Sequence, residues 1–216
     1  AGVGPTGTEG EQKLATGEKK GKEPVMRVMT MIREGRPSEE VADEIFRILE
    51  PVEREVAIAQ GVKFQEIKAT QKTAAKALVN GNIVELRTGG GKTLTLRAAA
   101  MIQALTAKAQ GKSTGVLVAV PLAKLEDEKG NGDGQQAAKI LGRFGIQVGI
   151  VKKGKAGSDV HLLYSSSGSD SREVDAVEFY ENAQVIFGEM ETFVHRYNHE
   201  VSGPAQDRAM RLRRYN

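Results

Sequence analysis

Three consecutive glycines, Gly89 to Gly91, separate a short apolar segment from a long segment rich in alanine and leucine. The apolar segment predicts the end of a short buried strand, which would include Ile83, Val84 and Leu86. The segment that begins at Lys92 predicts a helix. Glycines let the backbone curl until successive N–H groups face an anion, and a helix N-terminus adds partial positive charge. The stretch therefore has the elements of a phosphate-binding loop.

The two residues after the glycines carry the chemistry of such a loop. The ammonium group of Lys92 can reach the β- and γ-phosphates of a nucleotide, and the hydroxyl of Thr93 can ligate Mg²⁺. Leu86 stands where the full pattern has its first glycine, so the match is to the shorter form Thr-Gly-x-Gly-Lys-Thr. The alternative is a flexible turn with a solvated lysine. A strand before the loop and a helix after it favour the phosphate site.

Gln71 lies on a helix predicted over Phe64 to Val79, on a face that otherwise carries small and apolar residues. Its amide offers both a donor and an acceptor, which is what recognition of the edge of an adenine requires. The alternative is an ordinary glutamine on a helix surface. The nearby phosphate-binding loop favours the first interpretation.

The composition of the chain excludes some kinds of chemistry and argues against some kinds of partner. The chain of 216 residues has no cysteine, which excludes disulfides and thiolate chemistry and suits a reducing cytoplasm. No apolar run approaches the roughly 20 residues that span a bilayer. The net charge of +3, from 31 basic and 28 acidic residues, is too small to indicate nucleic-acid binding, and aromatic residues for base stacking are few.

The chain divides into four predicted segments. Residues 1–22 are glycine-rich, carry almost no large apolar side chains and predict a disordered arm. Residues 23–62 predict a helical appendage with a kink or break at Pro51. Residues 63–200 predict the α/β core, and residues 201–216 a basic tail, so that 23–216 form the domain.

Apolar runs and helical patterns alternate through the core. The predicted strands are 116–120, 146–151 and 183–187, with a further edge strand or hairpin at 160–164. The predicted helices include 92–110, 135–144, one capped by Ser171 that runs through Tyr180, and 189–200, and residues 129–134 predict a flexible loop. This alternation predicts an α/β fold: a parallel sheet flanked by helices, of the RecA-like P-loop NTPase class, with an N-terminal helical segment.

Gln71 and the run Ile83–Thr95 together resemble the first nucleotide-binding, DEAD-like domain of the SecA family of preprotein translocase motors. The resemblance covers about residues 40–200 and is strongest over 71–105. It implies that Gln71 recognises adenine, that Arg87 lies beside the nucleotide, and that the loop holds the phosphates and Mg²⁺ through Thr88, Gly89, Gly90, Gly91, Lys92 and Thr93. ATP and Mg²⁺ are then the implied cofactors.

The resemblance also implies a cellular role. An intact member of the family couples ATP hydrolysis to the movement of unfolded preprotein through a membrane channel. Its partners would be ATP or ADP, that channel and the preprotein, with no specific nucleic acid. The implied location is cytoplasmic, with peripheral association at the inner face of the membrane.

The chain departs from the family pattern at several positions. Gly90 replaces the usual glutamate of the loop, residues 187–192 replace Tyr-Gly-Thr-Asn-Asn-Glu, and 121–123 replace the segment after the second strand. No apolar strand followed by Asp-Glu comes after the loop, and the acidic run 126–128 predicts a solvated turn. We therefore expect an excerpt that stops before the Asp-Glu box, lacks the hydrolytic carboxylates and turns ATP over very slowly when isolated.

Two other functions remain open at this stage. One is a fragment of a superfamily-2, helicase-like ATPase that depends on nucleic acid, although no dense Arg/Lys patch with interleaved aromatics supports it. The other is a scaffold module that binds nucleotide without hydrolysing it.

Overall fold

The computed structural model describes residues 23–87, 91–112, 115–154 and 158–194. At its centre is one sheet. Its strands are β1 (Val116–Ala119), β2 (Val148–Lys153), β3 (Asp159–Tyr164), β4 (Ser171–Val174) and β5 (Val185–Gly188). Their order across the sheet is β1-β5-β2-β3-β4.

The apolar strands pair in parallel and the more polar ones do not. β5 lies between β1 and β2, and Val185 aligns with Val116 on one side and Val148 on the other. All four residues of β5 are buried, as expected of a parallel strand that is covered on both faces. β3 pairs antiparallel with β2, and β4 pairs antiparallel with β3. The α/β fold class predicted from the sequence is confirmed, with a sheet that is parallel in its apolar half.

Helices surround this sheet. They are α1 (residues 23–33), α2 (Ser38–Ala59), α3 (Ala69–Val79), α4 (Lys92–Ala109), α5 (Leu122–Leu125), α6 (Asp133–Gly142), α7 (Ala176–Asn182) and α8 (residues 190–194). The predicted ends of α4 agree with the structure to one residue. The remainder of the helix predicted over 189–200, the arm 1–22 and the tail 201–216 lie outside the described residues.

The two faces of the sheet carry separate apolar clusters. On one face, residues of α1, α2, α4 and α6 pack with strand residues such as Val118 and Ile150. On the other face, Phe179 and Tyr180 of α7 and Phe193 of α8 pack on Val151 and Ile186. The sheet is therefore the middle layer of three.

The N-terminal helical segment joins the larger of these two clusters. Val41, Ile45, Leu49 and Val56 recur at helical spacing along α2 and are all buried. Pro51 is exposed, and α2 continues through it as a single helix. The break that the sequence suggested at this proline is absent.

Several predicted boundaries are wrong. Residues 64–68 are not helical, because α3 begins only at Ala69. α6 begins at Asp133, and the loop before it is held by hydrogen bonds instead of lying free. Lys139 Nζ donates to the carbonyl of Gly130 at 2.6 Å, and Gln135 Oε1 accepts from the backbone N–H groups of Asp127 and Gly132 at 2.9 and 3.0 Å.

Ser171 does not cap a helix. It begins β4, where it aligns with Tyr164 of β3. The N-cap of α7 is Asp175, whose carboxylate accepts from the backbone N–H of Glu178 at 2.8 Å. The predicted cap at Ser171 is wrong, because strand pairing with β3 takes Ser171 into the sheet and the helix begins only at Ala176.

Within the four described ranges, no helix is both long enough and apolar enough to cross a membrane.

Candidate functional site

The site is built on the turn that leads into α4. Gly91 is the N-cap of α4, with φ 75° and ψ 39°, a left-handed conformation that glycine adopts without steric cost. Its carbonyl accepts the first hydrogen bond of the helix, from Thr95 N at 3.1 Å, and a second from Thr95 Oγ1 at 3.2 Å. The backbone N–H groups of the first turn, from Lys92 onward, have no partner within the helix. They are the groups that bind an anion at a helix start.

Gln71 lies directly against this glycine. A Cβ atom placed on Gly91 would lie 1.8 Å from Nε2 of Gln71, so any residue with a side chain at this position would require the amide to move. Gln71 is buried, and its Oε1 accepts from the backbone N–H of Lys68 at 2.8 Å, which closes the first turn of α3. The structure thus brings together the two positions, twenty residues apart in sequence, that the motif had singled out.

The charged side chains of the motif face solvent. Arg87 and Lys92 are exposed, and the side chain of Thr93 is half-buried. Both cations are therefore accessible from solvent. Thr88, Gly89 and Gly90 fall outside the described residues.

The predicted strand before the glycines is not a strand. Residues 82–87 are irregular, and the side chain of Ile83 is fully exposed. Val84 and Leu86 are only half-buried. β1, which follows α4, has β5 as its sole neighbour within the described sheet, and no backbone pairs with residues 82–87 as a ladder.

The acidic run after β1 is only in part the solvated turn that the sequence suggested: Asp127 and Glu128 are exposed, but Glu126 is not. Glu126 is largely buried and forms an ion pair with Lys152. Its other oxygen accepts a hydrogen bond from Tyr164 Oη at 3.3 Å. Burial, followed by the negative charge of Glu126, raises the pKa of Tyr164 to about 12. Both oxygens of this carboxylate therefore make contacts within the fold, one with Lys152 of β2 and one with Tyr164 of β3.

The donor set of the turn fits a magnesium nucleotide. It offers free amides at a helix start, an ammonium group for phosphate and a hydroxyl, a hard oxygen ligand of the kind that Mg²⁺ takes. The space that a Cβ of Gly91 would take is filled by the amide of Gln71, which therefore packs directly against the turn. Elsewhere among the described residues, no group of three or more His, Cys, Asp or Glu side chains is placed to hold a metal ion.

One feature beside the site was missed from the sequence. Arg97, on the buried face of α4, forms a bidentate ion pair with Glu53 of α2 at 2.8 Å for each contact. Arginine within the run Leu-Arg-Ala-Ala-Ala was the available signal, because a charge on a helix face that is otherwise apolar requires a partner.

The fold and the turn define a class of protein: an α/β domain of RecA-like architecture with a mostly parallel sheet. The chain matches the family model of the SecA DEAD-like domain over residues 11–197, and it belongs to that family. The family is an ATP-binding motor domain of the SecA and helicase superfamily, with which ATPase activity is generally associated. Searches of curated proteins and of solved structures give no match.

Proposed function

We propose that this chain is the ATP-binding portion of a SecA-like motor, and that Mg-ATP or Mg-ADP binds at the start of α4. The observation that carries the proposal is the contact between Gln71 and Gly91, where a Cβ would approach the amide to 1.8 Å. This contact supports the proposal, because it joins the residue proposed to read adenine to a residue of the proposed phosphate loop. Membership of the SecA DEAD-like family supports the same assignment.

Each site residue has a distinct proposed role. Lys92 neutralises the β- and γ-phosphates, and Thr93 supplies a hydroxyl ligand to Mg²⁺. Arg87 lies beside the nucleotide, and Gln71 reads the edge of adenine. The backbone N–H groups of Thr88, Gly89, Gly90 and Gly91 complete the phosphate cradle, as the sequence pattern suggests.

The proposed domain organisation is unchanged from the sequence: an arm at 1–22, a helical segment at 23–62, the nucleotide-binding core at 63–200 and a basic tail at 201–216. In the intact motor, ATP hydrolysis would drive unfolded preprotein through a membrane channel. The motor would work in the cytoplasm, peripherally at the inner face of the membrane.

We further propose that this chain binds nucleotide but hydrolyses ATP only very slowly. Glu126 belongs to the first acidic run after the loop. Its carboxylate already forms an ion pair with Lys152 and accepts a hydrogen bond from Tyr164. It is therefore a poor candidate for holding Mg²⁺ or orienting water. This observation also favours the second candidate function, a module that binds nucleotide without turnover.

Thermal unfolding with and without Mg-ADP tests the binding site. At a ligand concentration about 100 times Kd, binding adds about 2.7 kcal/mol to the free energy of unfolding. For a chain of this size that raises Tm by roughly 5–10 °C. Lys92→Ala should abolish the shift, because the principal phosphate charge is lost. Lys112→Ala, which removes an exposed lysine just beyond the other end of α4, is the matched control and should leave the shift intact.

A second comparison tests Gln71. Gln71→Ala should lower affinity for ADP more than for GDP. Equal loss for both nucleotides would show that Gln71 only supports the loop. A full thermal shift in the Lys92→Ala variant would show that nucleotide binds elsewhere.

A further inference from the structure

α2 and α4 are joined by an ion pair in the apolar core. The guanidinium of Arg97 donates from Nε and Nη2 to the two carboxylate oxygens of Glu53, each at 2.8 Å. Both residues are only 5% exposed. The surrounding residues on these helices are apolar and include Leu49, Val56 and Met101.

A buried ion pair of this kind adds little to the free energy of unfolding. Two well-packed apolar side chains of similar volume usually stabilise a core at least as well, because burying charge carries a large desolvation cost. What the pair supplies is geometry, since two parallel hydrogen bonds form at only one relative position of the two helices. Nη1 of Arg97 is also buried, and within the described residues no hydrogen-bond partner reaches it. Glu53 is thus the partner that fixes the guanidinium.

The position of the pair along α4 connects it to the candidate site. Arg97 follows Lys92 by five residues, which is about 7.5 Å along a helix axis. A slip of α4 by one turn against α2 would displace its N-terminus by about 5.4 Å. That displacement is several times the misplacement of about 1 Å that can already cost about 100-fold at a site that must position its ligand.

We infer that Glu53 and Arg97 are positioning residues for nucleotide binding, and that their ion pair fixes the start of α4 relative to α2. The helical segment before the core is then part of the binding unit, because its packing and the affinity for nucleotide are coupled. This inference rests on the proposed function, since it concerns the same site.

α2 also supplies a matched control. Glu55, two residues beyond Glu53, forms an ion pair with Arg143 at 2.7 Å, with side chains 65% and 41% exposed. This second pair links α2 to the end of α6, and it is solvated. Its loss should leave the position of α4 unchanged.

The decisive experiment separates stability from binding. The double variant Glu53→Met/Arg97→Met replaces the pair with flexible apolar side chains that fill the same space. We expect a cooperative thermal transition close to that of the wild-type chain and an affinity for Mg-ADP about tenfold lower, measured by calorimetry well below Tm. Glu55→Gln should bind Mg-ADP as the wild-type chain does.

The outcomes distinguish this inference from the proposed function. A wild-type chain that does not bind Mg-ADP overturns both. Wild-type binding together with an affinity of the double variant within about twofold overturns only the positioning role.

A measurement on the wild-type chain makes the test independent of how the variant folds. Mg-ADP should slow amide hydrogen exchange in α2 around Glu53, although α2 is not expected to touch the nucleotide. α7, on the opposite face of the sheet, should be unaffected. Exchange in α2 that is the same with and without Mg-ADP, in a chain that binds it, would also overturn the coupling.

Discussion

Replacing Gly91 by alanine perturbs the contact on which the site assignment depends. Two costs follow from the structure. The backbone at this position has φ 75°, and an L-residue held there loses about 1–2 kcal/mol. The new Cβ would also lie 1.8 Å from Nε2 of Gln71. Gln71 must then move, which gives up its hydrogen bond to Lys68 N and costs about 1–1.5 kcal/mol more.

The two costs can be separated by a double-mutant cycle. In the wild-type background, Gly91→Ala should lower the free energy of unfolding by about 2–3.5 kcal/mol, the sum of the two. In a Gln71→Ala background, the amide is absent and only the conformational part of about 1–2 kcal/mol should remain. The coupling energy between the two positions should therefore be about 1 kcal/mol.

Urea denaturation without ligand gives each free energy of unfolding, and Gly111→Ala is the control. Gly111 ends the same helix with φ 67° and has no atom within 4 Å of its Cβ position, so it reports the conformational cost alone. Equal costs of Gly91→Ala in the two backgrounds would refute the reasoning. Gln71 would then not be in contact with the loop in solution.

Two further predictions concern buried charge. Glu53→Gln should lower the free energy of unfolding by about 3 kcal/mol, because it leaves Arg97 buried without its counter-charge. Glu55→Gln should cost less than about 1 kcal/mol, since its pair is solvated; urea denaturation measures both, and equal costs would contradict the burial of the first pair. For Tyr164, burial first and then the charge of Glu126 raise the pKa from 10.0 to about 12. Because the folded pKa is the higher one, the stability that Tyr164 contributes is complete below about pH 10 and is lost as pH rises towards 12. Ultraviolet titration of tyrosinate should show ionisation near pH 12 that is lost in Tyr164→Phe, and an unchanged titration above pH 10 in that variant would refute this.

Elements with strong periodicity or long apolar runs could be predicted from the sequence. α2 and α4 were found because their buried residues recur at helical spacing, and β1, β2 and β5 because unbroken apolar runs suit strands covered on both faces. The proximity of Gln71 to the glycine turn could also be predicted from the sequence, although twenty residues separate Gln71 from Gly91. A motif predicts which residues distant in sequence lie together in space, whereas local propensity predicts only the secondary structure of each segment.

Elements decided by tertiary pairing could not be predicted. Ser171 has the chemistry of a helix cap, yet β3 offers it a backbone partner and the segment becomes a strand. Glu126 looked solvated because its neighbours in sequence are polar. Its contacts, Lys152 and Tyr164, come from two later strands. The pair of Glu53 and Arg97 is hidden in the same way, because 44 positions separate its members.

The apolar pattern before the glycine turn raises a different question, which is what positions the start of α4 when the described residues before the turn, 82–87, form no strand. Ile83 matches a strand pattern but is fully exposed, and a strand requires a neighbouring backbone to satisfy its N–H and C=O groups. Contacts with α3, through Gln71 and Gly91, and with α2, through Glu53 and Arg97, then hold the helix start. Ile83→Ala should accordingly change the free energy of unfolding by no more than about 0.5 kcal/mol, whereas Ile150→Ala in buried β2 should cost about 2–5 kcal/mol. A loss of about 2 kcal/mol or more at Ile83 would show that this side chain is buried in solution, and the sheet would then share in positioning the phosphate loop.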